Sequence, residues 1–221
     1  MQKARLVDPV IDLLRKVKAI YTNDHFVYAS GKHGSVYVNK DAMFHHPQET
    51  TLISRMFAER YQDLDIDAVV GPAIGGIVLS QWTAYHLTQL KDKEVFGVYT
   101  EKDDKKNQVF TRGYDKLVKG KKVLIVEDVT TTGSSIKKVI ESVRKAGGKV
   151  IPAAVMLNRD PKNVNSKSIG APFSALSVLP AEAFAKNSCP LCKKHIPVNT
   201  EVGHGKEFLA SKNNLNFSLI L

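Results

Sequence analysis

Residues 123–135 read VLIVEDVTTTGSS. Four apolar residues run into two adjacent acids, Glu127 and Asp128, and then into a string of hydroxyls around Gly133. A short apolar run bounded by turn residues predicts a buried strand of a parallel sheet. The stretch SSIKKVIESVRKAGG (134–148) follows with helical spacing and is ended by Gly147 and Gly148. Working outward, IDAVVGP (66–72) predicts a strand, GGIVLSQWTAYHLTQL (75–90) a helix, KEVFGVYT (93–100) a strand and KVIPAAVMLNRD (149–160) another strand. Strand and helix alternate from about residue 66 to 157, which predicts an α/β fold with an open, mainly parallel sheet and right-handed crossovers.

The chain ends do not keep that rhythm. Asp8 can cap a helix with Pro9 in its first turn, over VIDLLRKVKAI (10–20). HFVYASGKHGSVYVNKD (25–41) alternates and is broken by glycines, so two short strands and a turn are expected, and PQETTLISRMFAERYQD (47–63) predicts a helix. The reading is one domain over 1–221. A core spans about 46–160, and a small hood subdomain is built from about 1–45 with part of 160–221.

Composition narrows the class. The chain has 221 residues, of which 43% are hydrophobic, enough for one α/β domain with a sizeable core. Its apolar runs are far short of a membrane span, and charges interrupt the N-terminal MQKARLVDPVIDLLRKVKAI, a poor signal peptide. Two cysteines give no disulfide framework, which favours the cytoplasm. The net charge of +10 points to anionic partners. Lysines are spread evenly and no basic stretch is interleaved with aromatics, so phosphorylated small molecules are favoured over nucleic acid. Most of the basic residues read as a solvated surface.

In an open parallel sheet, ligands bind beyond the carboxyl ends of the strands. There the 123–126 strand delivers Glu127 and Asp128. Val129, Thr130, Thr131, Thr132, Gly133, Ser134 and Ser135 then turn into the helix. Backbone amides at a helix start, helped by hydroxyls, cradle an anion. Acids beside such a cradle would repel a bare phosphate, but they suit neutral hydroxyls on the same ligand. The segment therefore fits a ribose 5-phosphate. A second glycine turn, VVGPAIGGIVLS (69–80), could hold another anion on the amides near Gly75 and Gly76, although such turns are common. The polar stretch TEKDDKKNQVFTRG (100–113) reads either as a functional loop or as a solvated charged one.

The 123–135 segment resembles the phosphoribosyl-pyrophosphate (PRPP) motif of type I phosphoribosyltransferases. SGKHGSVYVNKD (30–41), GPAIGGI (71–77), LNRD (157–160) and CPLC (189–192) resemble the orotate phosphoribosyltransferases in particular. The resemblance spans about residues 8–195. It implies transfer of ribose 5-phosphate from PRPP to orotate, giving orotidine 5′-phosphate and pyrophosphate, with Mg2+ held by substrate oxygens and water. It implies a homodimer and a loop at 100–113 that closes over PRPP. Lys102 and Lys105 fall on two basic positions of that loop, and Arg112 is a replacement cation where Glu101 and Asn107 depart from the family. The resemblance assigns Glu127 and Asp128 to catalysis with Lys102 and Lys105. It puts residues 127–135, Lys102, Lys105, Gly75 and Gly76 on PRPP, and Thr131 and Arg159 on the nucleobase. A Lys common in the family near Ile74 and Gly75 is missing. Another, just before the Ser-Gly, is replaced by Ala29, for which Lys32 or Lys40 could substitute.

Two other readings remain open: a phosphoribosyltransferase for another base, and a non-enzymatic regulator that senses PRPP. The CPLCKKHIPVNTEVGHG tail (189–205), with His195 and His204 near its two cysteines, raises a zinc site. A reduced structural turn is preferred and no metal centre is assigned. His25, His33, His45, His46 and His86 show no ligand spacing, and Trp82 and Tyr85 are read as packing residues.

Overall fold

The computed structural model describes residues 8–28 and 30–217. Its strands are β1 (Ile20–Val27), β2 (His33–Val38), β3 (Ala68–Pro72), β4 (Phe96–Lys102), β5 (Gln108–Val109), β6 (Lys122–Thr130), β7 (Lys149–Asn158) and β8 (Phe173–Val178). Its helices are α1 (Pro9–Lys16), α2 (Asp41–Phe44), α3 (Pro47–Tyr61), α4 (Gly75–Lys91), α5 (Tyr114–Val118), α6 (Ser134–Lys145), α7 (Ser166–Ile169), α8 (Pro190–Lys193) and α9 (Gly205–Phe217). By their contacts the residues form two units. One takes in Lys40–Pro180 with the described part of 1–13, the other Leu14–Asn39 with the described part of 181–221.

The larger unit holds a six-stranded sheet in the order β5-β4-β3-β6-β7-β8. Only the β4–β5 pair is antiparallel. β6 lies at the centre, and residues 123–128 are all buried, as a strand covered on both faces must be. One face carries Ala68, Val70, Val123, Ile125, Ala153 and Val155, packed against Ile136, Val139, Ile140 and Val143 of α6. That α6 stripe repeats at three and four residues, the helical period. Side chains alternate along a strand, so Val69, Leu124, Val126 and Met156 serve the opposite face. There α4 packs on β3, β4 and β6, with α3 behind it.

Several boundaries differ from those expected. α1 starts as read: Asp8 Oδ1 accepts hydrogen bonds from the amides of Val10 (3.0 Å) and Ile11 (3.1 Å). It stops at Lys16 rather than Ile20, because Lys18 takes a left-handed conformation (φ 54°) and Ile20 already begins β1. The polar stretch after β4 contains β5 and α5. β5 forms because Glu101 and Lys102 pair with Val109 and Gln108, and the buried Gln108 side chain accepts from Thr100 Oγ1 at 2.8 Å. β8 at the sheet edge is an addition to the sequence reading. Trp82 and Tyr85 are not core packing. They lie on the exposed face of α4, 37% and 53% accessible, with their rings edge to face.

The smaller unit has the antiparallel β1–β2 hairpin, with Ile20 opposite Val38 and Val27 opposite His33. Phe26, Val27, Leu14 and Cys189 are buried in it. His33 also bridges to Phe184, exchanging backbone hydrogen bonds of 2.8 Å in both directions.

Candidate active site

β6 carries two carboxyl groups to its end with almost no exposure, 6% for Glu127 and 1% for Asp128. Asp128 is held from three directions. Its Oδ1 accepts from the Val129 amide at 2.5 Å, and its Oδ2 accepts from Lys40 Nζ at 2.9 Å. The carboxylate also abuts the α-carbon of Gly75, where an added Cβ would lie 2.0 Å from Oδ2. Gly75 opens α4, so the close approach requires glycine there. Burial pushes the Glu127 carboxyl well above the usual carboxylate range; the charge of Asp128 adds to this and Lys40 offsets part of it. For Lys40 the balance is reversed. Burial alone would lower its pKa, but the charge and hydrogen bond of Asp128, with help from Glu127 and Asp41, raise it. The result is a paired ammonium and carboxylate beside a carboxyl group that tends to keep its proton.

The hydroxyl loop leads from β6 into α6. Thr130 is buried and its Oγ1 accepts from the Gly133 amide at 2.9 Å, which closes the turn. Gly133 is left-handed (φ 73°) and packs where a Cβ would strike Ile169, so only glycine fits. Thr131, Thr132 and Ser134 are exposed and Ser135 is half-buried, so four hydroxyls face outward at the start of a twelve-residue helix. The second glycine turn is equally tight: a Cβ on Gly71 would lie 2.1 Å from the Gly76 carbonyl oxygen. The Ala73–Ile74 peptide is cis.

The two loop lysines are placed differently. Lys102 closes β4 and lines a hollow of about 180 Å³ with Lys106, Gln108, Ser134, Ser135 and Lys138. Lys105 is exposed at the tip of the β4–β5 turn, which Asp103 ties by accepting from the Asn107 amide at 2.7 Å. Arg112 is engaged with Glu101, 3.6 Å away. The Arg159 amide donates to the Thr130 carbonyl at 2.9 Å, so half-buried Arg159 stands beside the end of β6 and Thr131. Ala29 lies outside the described residues, and Lys32 is exposed in the smaller unit.

Sequence reasoning missed two lysines here and gave a third another place. Lys106 and Lys138 read as solvated charges, and nothing local distinguishes them. Lys40 was one of two substitutes considered for a different position, and its partner lies 88 residues away. The histidines beside Cys189 and Cys192 are His25 and His33, not His195 and His204.

A central strand ending on a buried acid pair and a hydroxyl turn defines the class. The phosphoribosyl transferase domain family matches residues 39–170. Over 191 residues the chain is 36% identical to the orotate phosphoribosyltransferase of Caldanaerobacter subterraneus subsp. tengcongensis, covering 86% of this chain and 94% of that one. It is 33% identical over 195 residues to the orotate phosphoribosyltransferase of Thermotoga maritima, covering 88% and 97%. The fold is similar to that of Mycobacterium tuberculosis orotate phosphoribosyltransferase in complex with PRPP, at 21% identity, with a TM-score of 0.59 over 78% of this chain and 97% of that one. The chain belongs to the orotate phosphoribosyltransferase family.

Proposed function

We propose that the protein transfers the ribose 5-phosphate of PRPP to orotate, forming orotidine 5′-phosphate and releasing pyrophosphate. The observation that carries this is the buried Glu127–Asp128 pair running directly into the exposed hydroxyls of 131–135. One ligand with a sugar diol and a terminal phosphate satisfies both. The amides and hydroxyls of 130–135 take the 5-phosphate, helped by the α6 dipole. Asp128, held by Lys40, and the neighbouring Glu127 accept from the ribose hydroxyls. Lys102 faces the hollow that Ser134 and Ser135 share, where it meets charge growing on the departing pyrophosphate. Gly75 and Gly76 offer amides to the same group. Lys105 reaches PRPP from the turn, and Thr131 and Arg159 contact the base. No side chain need form a covalent intermediate; orientation and charge stabilisation suffice.

The residues present fit Mg2+ brought in with PRPP. Among the described residues, no group of three or more acids and histidines with ligand spacing lies at Glu127 and Asp128. The ion's positions therefore fall mainly to substrate oxygens and water, with these two acids at hand. Bound there, Mg2+ neutralises pyrophosphate charge. We place the enzyme in the cytoplasm, the compartment that two cysteines without a disulfide framework favour. The exposed Trp82 and Tyr85, whose rings meet edge to face on α4, support a homodimer, since exposed aromatic side chains grouped on one face favour a partner. The test is pyrophosphate release with PRPP, Mg2+ and a panel of bases. Orotate should be preferred, and exchanging Glu127 and Asp128 for Gln and Asn should cut kcat/KM by at least about a hundredfold. A chain that ignores orotate and uses a purine would sink the orotate reading.

A further inference from the structure

The smaller unit brings together four side chains that the proposed transfer reaction does not use. His25 Nε2, His33 Nδ1, Cys189 Sγ and Cys192 Sγ all lie within 4.8 Å of one another. His25 Nε2 is 2.8 Å from His33 Nδ1 and 3.7 Å from each sulfur, and Cys192 Sγ is 3.4 Å from His33 Nδ1. A tetrahedral zinc site, with Zn–S near 2.3 Å and Zn–N near 2.0–2.1 Å, needs N···S edges of about 3.5–3.6 Å and an N···N edge of about 3.3 Å. Three of the four N···S edges are within about 0.2 Å of these values, and no ligand pair is more than 4.8 Å apart. The imidazole edge must open by about 0.5 Å, a small ring movement.

The orientation of His25 points the same way. His25 Nδ1 sits 2.8 Å from the Ile196 carbonyl oxygen, which can only accept. With Nδ1 donating to that carbonyl, Nε2 is the ring nitrogen left to face the two sulfurs and His33 Nδ1. A backbone carbonyl fixing the far nitrogen is how metal-binding histidines are oriented. The cysteines have the spacing of a zinc half-site, and the turn between them is tight: the Lys193 amide donates to the Cys189 carbonyl at 3.2 Å and the His195 amide to that of Cys192 at 3.0 Å. His25, His33 and Cys189 are no more than 1% exposed, and Cys192 is half-buried.

We propose that His25, His33, Cys189 and Cys192 form a structural Zn2+ site. All four ligands come from the protein, so no position is left for substrate, which marks a structural rather than a catalytic centre. Each cysteine binds as thiolate and gives up its proton to solvent on loading. The physical need is clear from the unit itself. Its only sheet among the described residues is a two-stranded hairpin, which is marginal alone. Small units of this kind are commonly held by a metal or disulfides. The ion would tie the end of β1 and the start of β2 to the segment at 189–192, in series with the His33–Phe184 bridge.

The test uses the full chain, purified without chelator or metal-affinity resin. Elemental analysis should find about one zinc per chain, falling below about 0.1 in Cys192→Ser and His25→Ala, while His195→Ala and His204→Ala keep it. Loading with Co2+ should give the visible bands of a tetrahedral ion and a thiolate-to-cobalt band in the near ultraviolet. Both thiols should resist a thiol reagent until a chelator is added, and the chelator should lower the Tm. Should the cysteine or histidine variants fail to fold, the wild-type cobalt spectrum and thiol protection decide alone. Wild-type chain without zinc whose thiols react freely and whose cobalt spectrum lacks a thiolate band would overturn the site. So would full zinc in the Cys192 and His25 variants.

Discussion

Lys40 Nζ lies 2.9 Å from Asp128 Oδ2, joining the residue before α2 to the end of β6. The pair is asymmetric: the Lys40 side chain is 42% exposed and that of Asp128 only 1%. The carboxylate cannot turn to water if its partner is removed. Losing one member of a buried pair costs more than the pair itself contributes. Lys40→Met should therefore lower kcat/KM for PRPP by at least about tenfold, and the Tm by about 2–4 °C, with Lys40→Arg restoring part of both. Unchanged kinetics in Lys40→Met would reduce the contact to a surface ion pair.

Glu127 makes stability depend on pH. Its carboxyl is raised well above its ordinary 4.5, chiefly by burial and then by Asp128. The folded chain thus holds a proton that the unfolded chain has released. The stabilisation is complete below about 4.5 and is lost as pH rises through the folded value. Glu127→Gln cannot ionise and should melt higher than wild type at neutral pH. The difference should shrink toward pH 4.5. A gap that stays constant across that range is the contrary result.

Gly75 tests the packing around the acid pair. A methyl group there would meet Asp128 Oδ2 at 2.0 Å and Phe44 Cζ at 2.7 Å. Gly75→Ala should cost about 1–3 kcal/mol by urea unfolding, the usual range for overpacking, and displace Asp128. Turnover should fall further than stability explains. An alanine variant with wild-type kinetics would show that Asp128 has room to move.

The two loop lysines should separate in kinetics. Lys102 shares its hollow with Ser134 and Ser135, whereas Lys105 is exposed at the turn. Lys102→Ala should lower kcat more than it weakens PRPP binding, because the opposing charge grows toward the transition state. Lys105→Ala should have the smaller effect on kcat. Equal, small effects from both would move the role to Lys106 or Lys138.

Base choice tests Arg159. Orotate differs from uracil by a carboxylate, and a guanidinium grips such groups with paired donors. Arg159→Ala should cost orotate about 2–4 kcal/mol in kcat/KM and uracil less. Equal losses for both bases would put Arg159 on the shared ring edge or on the scaffold.

The parallel sheet and the acid-hydroxyl segment were legible because their signals are local. Val123–Val126 announce a buried strand, and the acids and hydroxyls follow within a few residues, so one window of sequence contains both scaffold and chemistry. β5 was not legible. Two polar-flanked residues, Gln108 and Val109, become a strand only because Glu101 and Lys102 offer them an edge. Trp82 and Tyr85 misled because helical spacing shows that residues share a face, not what covers it.

What the sequence by itself determined is therefore the strand and helix alternation of the core, the central strand and the identity of the residues at its end, all set by periodicity and adjacency. Tertiary structure alone decided which distant side chains complete them. Lys40 reaches Asp128, and His25 and His33 reach Cys189 and Cys192, only because folding closes loops of 88 and more than 150 residues. No periodicity links such positions. Their pairing follows from where the strands and the tail pack, and burial then makes each contact matter, since a charge or lone pair removed from water must be answered by a partner.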